Sequence, residues 1–492
     1  MKVLLVYPHL NNPNPFPPMG IVHLGTFLKK QGIDVKLMDL TFSESYAEFL
    51  NALRFYSPDI VGISVLTVTY NHSIEIAKMV KESNQKCQVI FGGPHVTALP
   101  ELVMQNKEVD IAVAGEGENT LLEIVKVLSD KQDISRIQGI YYRSSGNIKF
   151  TGRRPFIEDL DTIGIPDRSI LPTFRTYLKF PIIYPYLMPW TILITSRGCP
   201  FQCAFCQPLL NNIFGNKVRF RSPLSVVDEA EELMDNYGLK SFYFTDDTFL
   251  ARKEWAKEVC FRFKERKINK KVVWGCQTNV NTFSEDKAYL LKEAGCIFVG
   301  FGVESGNEYI LNEILNKGQT VKRIKEAFLV CKKVGLVAEA NLIIGNPTET
   351  EEMVKDTIRL VREIRPDVLD THFLTPTPGS TLYQRYSSDG ILMYKNWEAP
   401  NRYTAGLIKT SLPKEKLSNL YDEIYITYLK NKSIFRIKWH WFRWFISVIP
   451  SIFILGKPAY VLRFLINCIA EQDYRLYRVE KFLKELIKKT KN

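Results

Sequence analysis

Three cysteines lie close together in the run Cys199-Pro-Phe-Gln-Cys203-Ala-Phe-Cys206, directly after the apolar stretch Thr191–Thr195 and the pair Arg197-Gly198. Gaps of three and two residues, on a loop leaving a strand, let all three thiolates face one centre. Thiolates are the ligands of iron–sulfur clusters, and three of them leave one iron of a cubane without a protein ligand. An open coordination position separates a reactive metal site from a closed, structural one. A structural zinc would need a fourth Cys or His nearby, and the next cysteine is Cys260. Buried small apolar residues are the other bland reading. The tight spacing, the preceding Arg-Gly and the interleaved Phe201 and Phe205 favour a metal cluster held by Cys199, Cys203 and Cys206.

In residues 1–145 short apolar runs alternate with helix-like segments. Val3–Tyr7, Ile60–Val65, Val89–Phe91 and Ile111–Ala114 read as buried strands; Ile21–Gln31, Ser73–Ser83 and Thr120–Leu128 read as the helices between them. That alternation predicts a Rossmann-like, doubly wound parallel sheet, whose ligands sit beyond the carboxyl ends of the strands. The loops at those ends are Pro18-Met-Gly20, Ser64-Val-Leu-Thr67, Phe91-Gly-Gly-Pro-His95 and Ala114-Gly-Glu-Gly-Glu118. Their glycines permit close backbone approach to a large flat ligand, although tight βα turns alone would also use them. Gly139-Ile-Tyr-Tyr-Arg143 reads as a closing hairpin, and residues 146–185 as an extended linker.

Residues 186–400 alternate again. Strand-like runs at Thr191–Thr195, Ser241–Thr245, Lys271–Gln277, Ile297–Gly302, Ala338–Ile344 and Leu369–Leu374 give six βα units, hence a partial (β/α)6 TIM-like barrel. Chemistry should gather at the carboxyl ends of these strands.

The cysteine spacing after a first strand, joined to the N-terminal half, resembles the cobalamin-binding branch of the radical S-adenosylmethionine (SAM) superfamily, which includes the anaerobic magnesium-protoporphyrin monomethyl ester cyclase and radical SAM C-methyltransferases. The resemblance implies three cofactors: a [4Fe-4S] cluster, SAM and cobalamin. It implies SAM contacts at Asp246, Asp247, Gln277, Glu304, Ser305, Ile344 and Gly345. It also implies cobalamin contacts at Ser64, Thr67, Gly92, Gly93, His95, Gly115 and Glu116, with His95 a loop hydrogen-bonder rather than a metal ligand. Arg219 and Arg221 resemble a recurring segment of the branch, which pairs either with a cofactor or in a structural ion pair. The Asp-x-His-x-x-Gly cobalt-ligating motif is missing: His9 lacks both the Asp before it and the Gly after it. The implied chemistry is reductive cleavage of SAM to a 5′-deoxyadenosyl radical and methylation of an unactivated carbon, fed by a low-potential donor such as flavodoxin or ferredoxin. Oxidative ring closure is the alternative within the family, and a non-catalytic cobalamin and cluster sensor is the alternative outside it.

Charge separates the last segment from the rest. The chain carries a formal net charge of +12, and from Lys430 onward 14 Lys/Arg face 4 Asp/Glu, so ten of those charges belong to the tail. The first 429 residues are near neutral, which argues against a nucleic-acid-binding protein. Residues 401–492 read as mainly helical. Trp439-His-Trp-Phe-Arg-Trp-Phe445 precedes an uncharged stretch, Trp444–Leu455, of only 12 residues, too short for the ~20 that span a bilayer. Interfacial tryptophans, interrupted apolar stretches and many Lys/Arg predict peripheral contact of residues 430–492 with an anionic membrane and a hydrophobic small-molecule substrate. A helical cap over the barrel is the competing reading. Scattered cysteines and a first strand at Met1–Tyr7, in place of a signal peptide, predict a reducing, cytoplasmic setting, peripheral on the inner membrane face.

Overall fold

The structure is a computed structural model that describes residues 1–8, 16–179, 188–393, 397 and 405–430. His9 and the basic tail, residues 431–492, lie outside the described residues, so the membrane-contact expectation falls there. No helix among the described residues is long and apolar enough to cross a membrane.

The first sheet has seven strands: β1 (Lys2–Tyr7), β2 (Asp34–Asp39), β3 (Ile60–Ser64), β4 (Gln88–Gly92), β5 (Ile111–Val113), β6 (Ile140–Ser144) and β7 (Asn147–Phe150). Their order is β2-β1-β3-β4-β5-β6-β7. The first five run parallel, while β6 and β7 form the antiparallel hairpin expected from Gly139–Arg143. Strand β7 occupies the start of the expected linker. Parallel strands covered on both faces read as continuous apolar runs, and the five residues Val3–Tyr7 are all buried. The chain reverses direction across the sheet at β1 and β3, the switch point where such sheets take ligands.

The second sheet contains β8 (Trp190–Leu193), β11 (Ser241–Phe244), β12 (Val273–Thr278), β13 (Cys296–Glu304), β14 (Val337–Ile344) and β15 (Val368–Phe373). It is all parallel in the order β15-β14-β13-β12-β11-β8, and its two edges do not pair, so it is an open half-barrel. Alternation along β14 separates the two faces of the sheet. Ala338, Ala340, Leu342 and Ile344 are buried under the outer helices, and Val337, Glu339, Asn341 and Ile343 line the half-open lumen. Between β8 and β11, β9 (Ser196–Arg197) and β10 (Arg219–Phe220) pair antiparallel and close the base of the cysteine-bearing loop. The last described helix, Lys414–Lys430, packs on the barrel, stacking Tyr421 on Phe373 at 4.9 Å.

Buried ion pairs join the two sheets. Glu116 and Glu118, from the loop after β5, hold Arg197 at 2.7 and 2.5 Å, and Glu116 also holds Arg219 at 3.0 Å. The connecting segment adds Arg168, which with Arg221 brackets Glu229. Arg219 and Arg221 are thus both engaged in structural ion pairs. Burial alone would raise the Glu118 carboxyl, but Arg197 holds it below the ordinary range.

Candidate active site

A cavity of about 650 Å³ lies between the two sheets. One wall is the switch-point end of the first sheet, with Ser64, Gly92, Gly93, Gly115 and Glu116; the other carries Cys206, Asp246 and Asp247. Thr67 and His95 stand behind the first wall. His95 accepts or donates a hydrogen bond with Thr67 Oγ1 at 3.2 Å, lies 4.6 Å from the Tyr70 ring, and is kept neutral by burial, which lowers its pKa to about 4. Gly93 must be glycine: its φ is +107°, and a Cβ there would meet Val65 O at 2.9 Å.

The cysteine loop is pinned by the barrel. Ala204 N donates to Leu315 O at 2.8 Å, Leu382 N donates to Ala204 O at 3.0 Å, and Asn316 Nδ2 donates to Gln202 O at 2.8 Å. Cys203 is buried, while Cys206 opens onto the cavity. Burial, then the neighbouring Cys203, pushes the Cys206 thiol up to about 12. Burial also raises Cys199 and Cys203. Thiols raised in this way stay protonated until a cation arrives, the electrostatics of a soft-metal site that deprotonates its ligands on binding. The donor set therefore fits an iron–sulfur cluster with one open corner.

Lys317, which the sequence reading did not single out, lies beside these cysteines. Its ammonium pairs with Glu304 at 2.7 Å, and both side chains are buried. Burial alone would lower the Lys317 pKa, but Glu304 and then Cys203 hold it at about 12. Glu304 itself ends β13 with a left-handed φ of 63°. Its neighbour Ser305 caps the turn, accepting from Asn307 N at 3.1 Å. Gln277 faces the lumen beside Gly300.

The two aspartates after β11 differ. Asp246 accepts from Thr195 N (2.9 Å), Thr195 Oγ1 (2.8 Å), Ser196 Oγ (2.6 Å) and Ser196 N, bracing the approach to the cysteine loop. Asp247 is exposed to the cavity, and burial together with Asp246 raises its carboxyl to about 7. Of the pair, Asp247 is the one with an uncommitted carboxyl. After β14, the backbone N–H groups of Gly345 and Asn346 donate to Glu349 Oε2 at 2.6 and 3.1 Å, fixing the turn that follows Ile344.

The fold and site together define a cluster-bearing half-barrel coupled to a nucleotide-fold cofactor domain. Comparison with known proteins agrees. The B12 binding domain model matches residues 10–125, and the radical SAM superfamily model matches residues 193–361. An uncharacterized methyltransferase of Pyrococcus horikoshii is 33% identical over 445 residues, covering 89% of this chain and 94% of that protein. The anaerobic magnesium-protoporphyrin IX monomethyl ester cyclase of Rubrivivax gelatinosus is 30% identical over 398 residues, 78% of this chain and 70% of that one. The structure of the radical SAM methyltransferase TsrM from Kitasatospora setae, with cobalamin and a [4Fe-4S] cluster bound, superposes with a TM-score of 0.69 at 19% identity, covering 88% of this chain and 92% of that one.

The chain belongs to the cobalamin-binding radical SAM family. It is a radical SAM enzyme whose cofactors are a [4Fe-4S] cluster, SAM and cobalamin.

Proposed function

We propose that the enzyme methylates an unactivated carbon of a small hydrophobic substrate. One observation carries the reading: the cobalamin-facing strand ends and the open side of the cysteine loop share a single cavity. A substrate held there would face both a methyl donor and a hydrogen-abstracting radical, which is what methylation of an inert C–H bond needs. When bound, the cluster and SAM supply that radical and cobalamin supplies the methyl group. Cys199, Cys203 and Cys206 would hold the cluster, leaving one iron for SAM. Asp247 is placed to accept hydrogen bonds from an ammonium group, and Asp246 holds the approach strand in position. The backbone at Gly92, Gly93 and Gly115 would cradle the cobalamin macrocycle.

The reading of a hydrophobic substrate is supported by Leu66, Phe205, Leu209, Leu210, Ile213 and Phe214, which give the same cavity an apolar surface. The tail composition extends this reading to peripheral membrane contact through residues 430–492, and a low-potential donor such as ferredoxin or flavodoxin would supply electrons. Oxidative ring formation is the second reading, favoured by the similarity to the Rubrivivax cyclase.

Anaerobic reconstitution with SAM, cobalamin and a reductant tests the chemistry. Wild-type protein is expected to yield 5′-deoxyadenosine and the Cys206→Ala variant none; no product from the wild type would leave only the sensor reading. Mass spectrometry of lipids and pigments from a deletion strain then separates methylation, a loss of one methyl group from the product, from cyclisation. Co-sedimentation of full-length and 431–492-deleted protein with anionic vesicles tests the tail, and equal recovery of both would exclude membrane contact through it.

A further inference from the structure

Lys317 is the one lysine buried among the described residues, and the chain delivers it to the cysteine loop. The two residues before it grip that loop: the Leu315 carbonyl accepts from Ala204 N at 2.8 Å, and Asn316 Nδ2 donates to Gln202 O at 2.8 Å. The Lys317 ammonium then stands 5.3 Å from the centre of the Phe205 ring, in the stretch between Cys203 and Cys206. Its partner Glu304 lies at 2.7 Å. Gly302 leaves room for both, since a Cβ there would meet Lys317 Nζ at 2.6 Å and would also collide with Glu304 Oε1.

A buried ion pair is a poor device for stability, because an apolar pair of similar volume does as well without desolvating two charges. This pair has further charged neighbours. Burial opposes the Lys317 charge, while Glu304, Cys203 and Cys206 all favour it. In return, against the burial that raises all three thiols, Lys317 favours the thiolate of Cys199, Cys203 and Cys206; at Cys203 and Cys206 it acts more strongly than Glu304 does in opposition. An electron added to a cluster held by three thiolates puts one more negative charge on an assembly that is already negative. A fixed cation close by, screened by protein rather than water, favours that added charge, and net charge is one of the levers on cluster potential.

We infer that Lys317 tunes the reduction potential of the cluster: its ammonium, held in place by Glu304, favours the reduced state and so eases electron transfer from a low-potential donor. The donor loses one electron and the cluster gains it; no bond forms or breaks and no proton moves. The inference rests on the cluster assignment and adds to it a residue outside the cysteine motif. Lys317 acts by its charge alone.

Anaerobic redox titration of the reconstituted full-length protein tests this, with dithionite as reductant, mediator dyes, and electron paramagnetic resonance reading the reduced cluster. SAM is left out, so a lysine that served only SAM would leave the midpoint where it is. Lys317→Met is expected to lower the midpoint by about 59 mV or more, a tenfold fall in the ratio of reduced to oxidised cluster at a fixed potential. Lys317→Arg, which keeps the charge, should stay close to the wild type, and Glu304→Gln, which removes the opposing charge, should move the midpoint up. A purely structural pair would give no such opposition of sign. Where Lys317→Met alone does not fold, Lys317→Met/Glu304→Leu replaces it and should still fall below the wild type, because the ammonium acts on the thiols more strongly than the carboxylate. An unmoved midpoint in the lysine variant, or shifts of the same sign for Lys317→Met and Glu304→Gln, would overturn the inference. A wild-type protein that takes up no iron and sulfide would sink the cluster assignment itself.

Discussion

Replacing Glu116 by alanine removes the hub of the ion-pair network that joins the two sheets. Glu116 accepts from Arg197 Nη1 at 2.7 Å, Arg219 Nη1 at 3.0 Å and Ile157 N at 2.9 Å, and its side chain is 5% exposed. Without it Arg197 keeps Glu118, but Arg219, 3% exposed, is left with the carbonyls of Ile157 and Phe214. Leaving a buried charge uncompensated costs about 3–5 kcal/mol. That is a large share of the ~5–15 kcal/mol that hold a typical domain folded. The exposed pair Lys217–Glu158, with side chains 73% and 76% exposed, provides the internal control. Its loss through Glu158→Ala should fall within about 0–1 kcal/mol. Urea unfolding followed by tryptophan fluorescence reads the barrel through Trp190, Trp255 and Trp274. Limited proteolysis reads the loosened connection between the sheets. The Glu116→Ala midpoint should fall well below that of Glu158→Ala, and the gap should persist at about 0.5 M salt, because buried pairs are little screened. Equal midpoints for the two variants would refute the argument that this network joins the domains energetically.

Three further outcomes follow from the same physics. Lys317→Met should destabilise the ligand-free enzyme by about 3–5 kcal/mol by stranding the buried Glu304 carboxylate; adding Glu304→Leu should restore most of it in a double-mutant cycle, and additive losses would contradict the pairing. Gly345→Ala should lower the melting temperature through about 1 kcal/mol or more of strain, because φ is +86° there and a Cβ would meet Leu417 Cδ2 at 2.9 Å. Finally, burial raises the Glu349 carboxyl from 4.5 to about 7. A raised acid stabilises the fold fully below its unfolded value and loses that contribution as pH rises through its folded value. The ligand-free protein should therefore melt lower at about pH 8 than at pH 6.5, and Glu349→Gln should reduce the difference, as scanning calorimetry at both pH values would show.

The parts of this architecture that sequence made legible are those written in local pattern. Buried parallel strands such as Val3–Tyr7 are unbroken apolar runs, and a three-thiolate loop is visible from its spacing alone. Strand β2, Asp34–Asp39, escaped because it is an edge strand with three partly or fully exposed residues among its first three, so Asp-Val-Lys-Leu-Met-Asp carries no continuous apolar signal. Glu116 read as part of a cofactor loop because the spacing Gly115-Glu-Gly-Glu118 says nothing about Arg197, 81 residues away. Lys317 carried no motif. Its only signal was a lone lysine between a buried apolar turn and Gly318, and its partner is fixed by the end of β13 rather than by sequence proximity. Asp246 and Asp247 look equivalent in sequence, and only the closure of β8 against β11 shows that the first is committed to Thr195 and Ser196.

The anchoring of the cysteine loop has a consequence for biogenesis. Residue 207, one place past the third thiol, has its carbonyl held by the backbone and hydroxyl of Thr381, 174 positions downstream, and Leu382 grips the loop at Ala204. A ribosome has therefore synthesised nearly the whole half-barrel before the thiols gain their final walls. Iron and sulfide delivered earlier would meet a loose, solvent-open trio, so metallation belongs at the end of folding; nascent chains arrested before residue 381 should retain no iron.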